Sequence, residues 1–249
     1  MPEPLKIAVV TPYYIPDEAQ LRQCQQSVLD QTYACTHIPV ADGHPSPIFG
    51  DAPRSLHVVL PRSNGDYGNT PRAVGAMLAG SYGFDAIAFL DDDNWFEPDH
   101  LEIMVAAQRA TGAPLVACFR RFRHLDGSNL DMTEPIEDNM THVDANCWLI
   151  CQPAFPLLAA WRVPKSISYI ADRIFFQKAM RERYRISFTK ARTVNYRTKN
   201  PLHYASAQVA PPAGAYEREE LNRLYSGVLN RAARAEIVDA VGFVPRIVL

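Results

Sequence analysis

Apolar and polar positions alternate between two periods along the first 110 residues. Lys6–Val10 is a short β-branched run that reads as a buried strand, ending at Thr11-Pro12-Tyr13-Tyr14. Glu18–Gln31 has helical spacing, with Leu21, Cys24, Val28 and Leu29 on one face. Ile38–Ala41 predicts a second strand, ending at Asp42-Gly43, and Leu56–Leu60 a third, separated by the Pro-rich stretch from His44 to Pro53. The polar loop from Arg62 to Asn69 then leads to Thr70, a helix-cap residue, and Pro71, suited to a first turn. Ala73, Val74, Met77 and Leu78 form the inward face of that helix. Ala86–Leu90 is a fourth strand, and Pro98 opens a helix carrying Leu101, Met104 and Val105. Four rounds of strand and helix predict a mainly parallel, doubly wound α/β sheet. Such sheets bind ligands beyond the carboxyl ends of their strands. Tyr13, Asp42, the 64–69 loop and Asp91-Asp92-Asp93 all fall at such ends.

The second half is less regular. Leu115–Phe122 reads as a strand, Asp126-Gly127 as a turn and His142–Cys151 as a strand or loop. Ala154–Trp161 and Ile170–Arg183 read as helices, Ile186–Lys190 and Thr193–Tyr196 as short strands. Glu217–Val241 is helical, with a break or kink expected near Gly227. No repeat or low-complexity tract is present.

Composition narrows the picture. The chain has 249 residues, 47% of them hydrophobic, which suits one α/β domain with a small elaboration. A net charge of −2 argues against a nucleic-acid-tracking surface. Twenty prolines against 12 glycines predict many fixed loops. The five cysteines (24, 35, 118, 147 and 151) form no CxxC pair and read as reduced thiols, although Cys147 and Cys151 have the spacing to share a helix face. The N-terminus lacks the basic flank and apolar core of a signal peptide, and no apolar run approaches the ~18 residues of a membrane span. A cytoplasmic protein is expected, peripheral to a membrane only through its acceptor.

The aspartate triplet carries the strongest chemistry. Adjacent like charges repel and raise one another's pKa, and a divalent cation offsets that repulsion. Hard carboxylate oxygens suit Mg²⁺ or Mn²⁺, which keep positions open for substrate phosphates. On an extended segment Asp91 and Asp93 would face one side and Asp92 the other. Asp and Asn also cluster in solvated turns and caps, but the apolar strand Ile87–Leu90 directly before the triplet favours a site.

The chain resembles GT-A fold glycosyltransferases, most of all the inverting family 2, over roughly residues 5–205. The resemblance is carried in order by KIAVVTPYY, SVLDQTY, VADG, NGDYGNTPRAVGAM and AFLDDDNWFEPDHLEIM, the last holding a DxD-type motif. It implies a catalytic domain over residues 1–205, with a nucleotide-sugar-binding half (1–110) and an acceptor-binding half (111–205), and a helical extension over 206–249. It implies that Thr11, Pro12 and Tyr13 pack around a nucleotide base, that Asp42 bonds the base and that Arg72 contacts nucleotide. It makes Asp93 the first choice of metal ligand, puts Asp91 or Asp92 near the ribose, and leaves Asp91 and His203 as further candidate ligands for Mn²⁺ or Mg²⁺. The implied donor is a UDP- or GDP-linked sugar, and the acceptor a saccharide, lipid-linked or other hydroxyl. The catalytic base, expected at a helix start, matches Asp172 in Tyr169-Ile170-Ala171-Asp172-Arg173, with Asp144 in reserve. The family often has two acids where this chain has Ala41-Asp42 and Ala171-Asp172, and the acceptor half matches weakly.

Each assignment has a plainer counterpart. Tyr13 can simply cover the sheet edge, Asp42-Gly43 can be a turn, Arg72 a surface charge, Asp172 a helix cap and His203 a structural residue. Arg197 and Lys199 are candidates to screen diphosphate charge. Arg120, Arg121, Arg123 and His124 would meet an anionic acceptor, or form the polar face of a strand. Asn146-Cys147-Trp148 would line an acceptor pocket, or be core. Three other readings remain open: a retaining GT-A transferase, a sugar-phosphate nucleotidyltransferase, and a silent nucleotide-sugar-binding protein. The Thr11–Tyr14 loop lacks the Gly-rich basic character usual in nucleotidyltransferases.

Overall fold

The computed structural model describes residues 3–50, 52–132, 142–229 and 231–244. Strand β1 (Ile7–Tyr13) is buried at every position. Its neighbouring residues Val10 and Thr11 face opposite sides of the sheet, because strand side chains alternate. Thr11 Oγ1 lies 3.8 Å from Cys24 Sγ of helix α1 (Glu18–Leu29). Val10 meets helix α2 (Asn69–Ser81), where a Cβ on Gly75 would fall 2.5 Å from Val10 Cγ1. Helices therefore cover both faces, and Gly75 permits the close approach of one of them.

Strands β2 (Cys35–Ala41), β3 (Val58–Val59) and β4 (Ala86–Phe89) join β1 in parallel, as the sequence predicts. The remaining strands extend the same sheet, in the order β3-β2-β1-β4-β7-β6-β8-β5. Strand β7 (Trp148–Cys151) runs antiparallel between β4 and β6 (Leu115–Arg123). Strand β8 (Ile186–Arg197) is parallel to β6, and β5 (Trp95–Phe96) is antiparallel to β8 at the edge. Reversed β7 places the Asp144–Cys147 turn, just before its first residue, beside the carboxyl end of β4.

Several expectations change. The two short strands expected over 186–196 are one strand of 12 residues. Its register slips opposite Phe119, and Lys190 has φ +56°, an irregularity that breaks the period-two pattern. Residues 152–161 form a 3₁₀ helix containing Pro156, and a 3₁₀ turn spans Ala145–Cys147. Cys147 and Cys151 therefore share no helix face, and all five cysteines are buried free thiols. Thr70 does not cap α2: Asp66 Oδ2 accepts from the Thr70 amide (2.9 Å) and hydroxyl (2.6 Å).

Helix α3 (His100–Thr111) follows β5, and α4 (Ala171–Arg181) carries Asp172 in its first turn. Helix α5 (Pro201–Ser206) precedes α6 (Arg218–Leu229) and α7 (Arg231–Val241). Helix α6 runs through Gly227 and ends at Leu229, and α7 begins at Arg231; Asn230, between them, lies outside the described residues. Ile237, Val241 and Phe243 pack on Ile167, Ile170 and Ile174, which steadies the segment leading into α4. Among the described residues no helix is long and apolar enough to cross a membrane.

Candidate active site

A cleft of about 520 Å³ opens at the carboxyl ends of β1, β2 and β4. Its lining includes Pro12, Tyr13, Asp42, Arg72, the three aspartates, Asp144, Asp172 and Lys199. The structure thus gathers residues from both halves of the sequence. Of the residues expected to hold nucleotide or metal, two stand apart from the lining. Thr11 is wholly buried, its hydroxyl 2.8 Å from His37 Nε2. His203 is buried, with Nδ1 2.6 Å from the Thr198 hydroxyl and its ring edge-on to Phe122.

The aspartate triplet is a turn rather than an extended segment. The Asn94 amide bonds back to the Asp91 carbonyl (3.1 Å), so the alternation argument for these side chains does not hold. Asp91 is the anchored member. Arg72 Nη2 lies 2.5 Å from its Oδ1, and Asn146 Nδ2 donates to Oδ2 (2.9 Å). Asn146 Oδ1 also accepts from the Asp91 amide (2.5 Å). Arg72 is itself buried, bonded to Asn69 (2.9 Å) and lying over the Trp161 ring at 5.0 Å. Its charge is spent on Asp91, so it is neither a surface charge nor a cation held out for nucleotide alone.

Asp92 and Asp93 complete the turn. Burial first, and then the neighbouring aspartates, push Asp92 well above the usual carboxylate range. Burial, and next the charge of Asp91, raise Asp93 to about 6, against the pull of Lys199 and Arg197. Arg197 is a structural pin, donating through Nη1 to the Asp93 carbonyl and through Nη2 to Gln23 (2.6 Å). Its backbone amide bonds Asn94 Oδ1 (2.8 Å), and its guanidinium lies 4.5 Å from the Trp95 ring centre. Lys199, about half exposed, holds its ammonium 4.0 Å from Asp93 Oδ2.

The donor set fits a hard divalent cation. Two carboxylates with raised proton affinity are held side by side, and Mg²⁺-like ions are commonly bound by one or two carboxylates plus substrate phosphates. Among the described residues no group of three His, Cys, Asp or Glu side chains is assembled as a cage. Asp93, with Asp92 beside it, would be the residue to hold such an ion, since Asp91 already carries Arg72 and Asn146.

Asp42 organises the neighbouring wall. Its buried carboxylate accepts from the Asn64 amide (3.0 Å), the Asn64 side chain (2.6 Å) and the Gly65 amide (3.2 Å). Gly43 adopts φ +82°, and a Cβ there would sit 2.5 Å from the Ser63 amide nitrogen. The Asp42-Gly43 turn therefore fixes the 63–65 loop against the cleft. Tyr13 is buried and bonds His57 (2.7 Å) and the Ser46 amide (2.9 Å), a role at the sheet edge, while its neighbour Tyr14 is exposed along the cleft.

Across the cleft stands Asp172. The N-cap of α4 is Ile170, so Asp172 is not the cap. Its Oδ2 lies 2.7 Å from His142 Nε2, and its Oδ1 accepts from the Arg173 amide (2.7 Å). Burial alone would raise its pKa, but the charge and hydrogen bond of His142, with Arg173, hold it below the usual range. The reserve candidate, Asp144, is committed. Its Oδ2 pairs with buried Arg120 (2.5 Å), and its Oδ1 takes both the Asn146 amide (2.9 Å) and side chain (2.6 Å).

The basic run of β6 disperses. Arg120 is buried on Asp144, Arg121 pairs with Glu97 (3.1 Å) and Arg123 bonds Asn195 (2.7 Å), so no shared anion-facing surface results. Asn146, Cys147 and Trp148 are buried and do not line the cleft. The parts of Asn146 and His142 have no local signal: both act on residues far away in sequence.

Comparison with known proteins agrees with this geometry. The profile of glycosyl transferase family 2 matches residues 8–188. No curated protein sequence matches the chain. Three solved structures of S. aureus TarS share the fold. TarS 1-349 in complex with UDP-GlcNAc superposes with a TM-score of 0.63 at 16% identity, over 95% of this chain and 67% of that one. TarS 1-349 in complex with UDP gives 0.58 at 14% identity, over 94% and 70%. A longer TarS chain gives 0.59 at 17% identity, over 92% of this chain and 45% of that one, so this chain spans less than half of it. With a family match across most of the chain, and a sheet that closes a carboxylate-lined cleft at its strand ends, the protein belongs to glycosyl transferase family 2 and is a glycosyltransferase of the GT-A fold.

Proposed function

We propose that the protein transfers a sugar from a nucleoside-diphosphate sugar to an acceptor hydroxyl by a single displacement with inversion. The observation that carries this reading is the shared lining of one cleft by the Asp91–Asp93 turn and by Asp172 on α4. Asp172, held ionised by its donors, accepts the proton of the acceptor hydroxyl. That oxygen forms its bond to the anomeric carbon as the carbon–phosphate-oxygen bond breaks, and the electron pair leaves with the diphosphate. Lys199 lies beside the acidic turn and screens part of the departing charge. A divalent cation, Mn²⁺ or Mg²⁺, held by Asp93 would stabilise that leaving group. UDP-linked sugars are the first donors to test, because two of the structural neighbours are complexes with UDP and UDP-GlcNAc. A saccharide or lipid-linked hydroxyl is the expected acceptor.

The test is transfer from a panel of nucleotide sugars, with the product anomer read by NMR. An inverted anomer, lost in Asp172→Asn while donor binding survives, is expected. A retained anomer would remove the single displacement, and wild-type turnover by Asp172→Asn would remove Asp172 as base. Cation-dependent nucleotide binding with no transfer to any acceptor would favour a silent binding protein.

A further inference from the structure

His142 takes no part in the bond-making steps, yet it makes a direct contact with the proposed base. It reaches Asp172 from 30 positions earlier in the chain, with Nε2 2.7 Å from Oδ2. The ring is 8% exposed, and His142 is not among the residues lining the cleft, whereas Asp172 is. Among the described residues its other nitrogen, Nδ1, has no hydrogen-bond partner. An ionised carboxylate can only accept, so Nε2 donates. The Arg173 amide holds the other oxygen (2.7 Å). One donor on each oxygen fixes the plane of the carboxylate and leaves lone pairs for an incoming proton. Asp144, by contrast, meets a buried guanidinium and two further donors. Burying an imidazole is costly unless its polar atoms are paired, and the pairing of this ring is with the Asp172 carboxylate.

We propose that His142 is a positioning residue of the transfer reaction: through its Nε2 hydrogen bond it orients the Asp172 carboxylate toward the acceptor hydroxyl. The proposal rests on Asp172 being the base. It assigns His142 no contact with substrate, so the effect belongs in kcat and not in binding.

Steady-state kinetics on four variants test it. In His142→Leu, kcat falls about 10- to 100-fold, the scale set by misorientation of a reacting group, while both KM values and nucleotide affinity hold. His142→Gln places an amide donor near the position of Nε2 and restores kcat to within about fivefold of wild type, well above His142→Leu. In an Asp172→Asn background, His142→Leu causes no further loss, because the two act as one unit. Equal impairment of the Gln and Leu variants, or a fall in kcat matched by a rise in both KM values, would overturn the proposal and leave a structural histidine. Where His142→Leu does not fold, His142→Asn takes its place: its amide is one bond short, and a kcat equal to that of His142→Gln overturns the proposal. Wild-type turnover by Asp172→Asn alone marks failure of the base reading, whereas an inactive Asp172→Asn beside a fully active His142→Leu marks failure of this inference only.

Discussion

Asn146→Leu tests the buried joint beneath the aspartate turn. Asn146 is fully buried, and its carboxamide makes three hydrogen bonds: from the Asp91 amide, to Asp91 Oδ2 and to Asp144 Oδ1. Leucine keeps the volume and removes all three. The stranded Asp91 amide costs about 1–3 kcal/mol. Each carboxylate also loses a donor, at about 1.5–3 kcal/mol for a fully buried charged group. That second figure must be discounted, because Asp91 is 30% exposed and keeps Arg72, while Asp144 keeps Arg120 and the residue 146 backbone amide. Apolar burial of the leucine offsets a further part, leaving a net loss of ~2–4 kcal/mol. For a chain of this size that is roughly 4–16 °C in melting temperature. Scanning calorimetry measures it, and titration with UDP and Mn²⁺ measures the consequence for the site. Asp91 freed from Asn146 should leave nucleotide binding weaker. A variant melting within about 2 °C of wild type, with unchanged nucleotide affinity, refutes the view that Asn146 sets the geometry of the turn.

Three further outcomes are expected. Asp93→Asn abolishes cation-dependent nucleotide binding by isothermal titration, and in the wild type Mn²⁺ affinity falls as pH drops below about 6, because the raised Asp93 carboxyl then keeps its proton; pH-independent affinity from about 5 to 7 would contradict this. His37 is buried, and burial, followed by the charge of His57, lowers its pKa to about 3. The unfolded chain takes that proton first, near ~6.5, so folding stability declines by up to ~1.4 kcal/mol per pH unit between there and about 3. Urea unfolding of His37→Gln should show a shallower acid dependence, and a parallel one would exclude His37 as the source. Gly75→Ala drives a methyl into Val10 (2.5 Å) and Val40 (2.9 Å) and should cost ~1–3 kcal/mol by chemical denaturation; an unchanged midpoint would show that α2 shifts freely.

The first 110 residues were legible because their signals are local. Ile7–Val10 and Ala86–Phe89 are runs that only a buried strand accommodates, and the polar residues that follow must then gather at one sheet edge. Strand ends alone bring Asp42, Asp91 and Asp93 to one cleft, and they carry no information on what each carboxylate touches. Arg72, read as a nucleotide contact or surface charge, is buried on Asp91 because Trp161 and Asn69 frame its guanidinium. Arg197 and Asn94 clamp the turn through groups about a hundred residues apart, a pairing without any sequence period.

The sequence by itself determined the α/β alternation, the polar strand ends and the residue types available for donor chemistry, since each follows from a period or a strand terminus a few residues long. Tertiary structure alone decided that β7 runs antiparallel beside β4, that 186–197 is one strand, and that His142 and Asn146 serve Asp172 and Asp91. Strand pairing and side-chain contacts across 30 or 55 positions depend on how the whole chain closes its core, and no local pattern encodes that closure. The aspartate triplet shows both levels: its place at the end of β4 is written in the sequence, and its conformation as a turn held by Arg72, Asn146 and Arg197 is not.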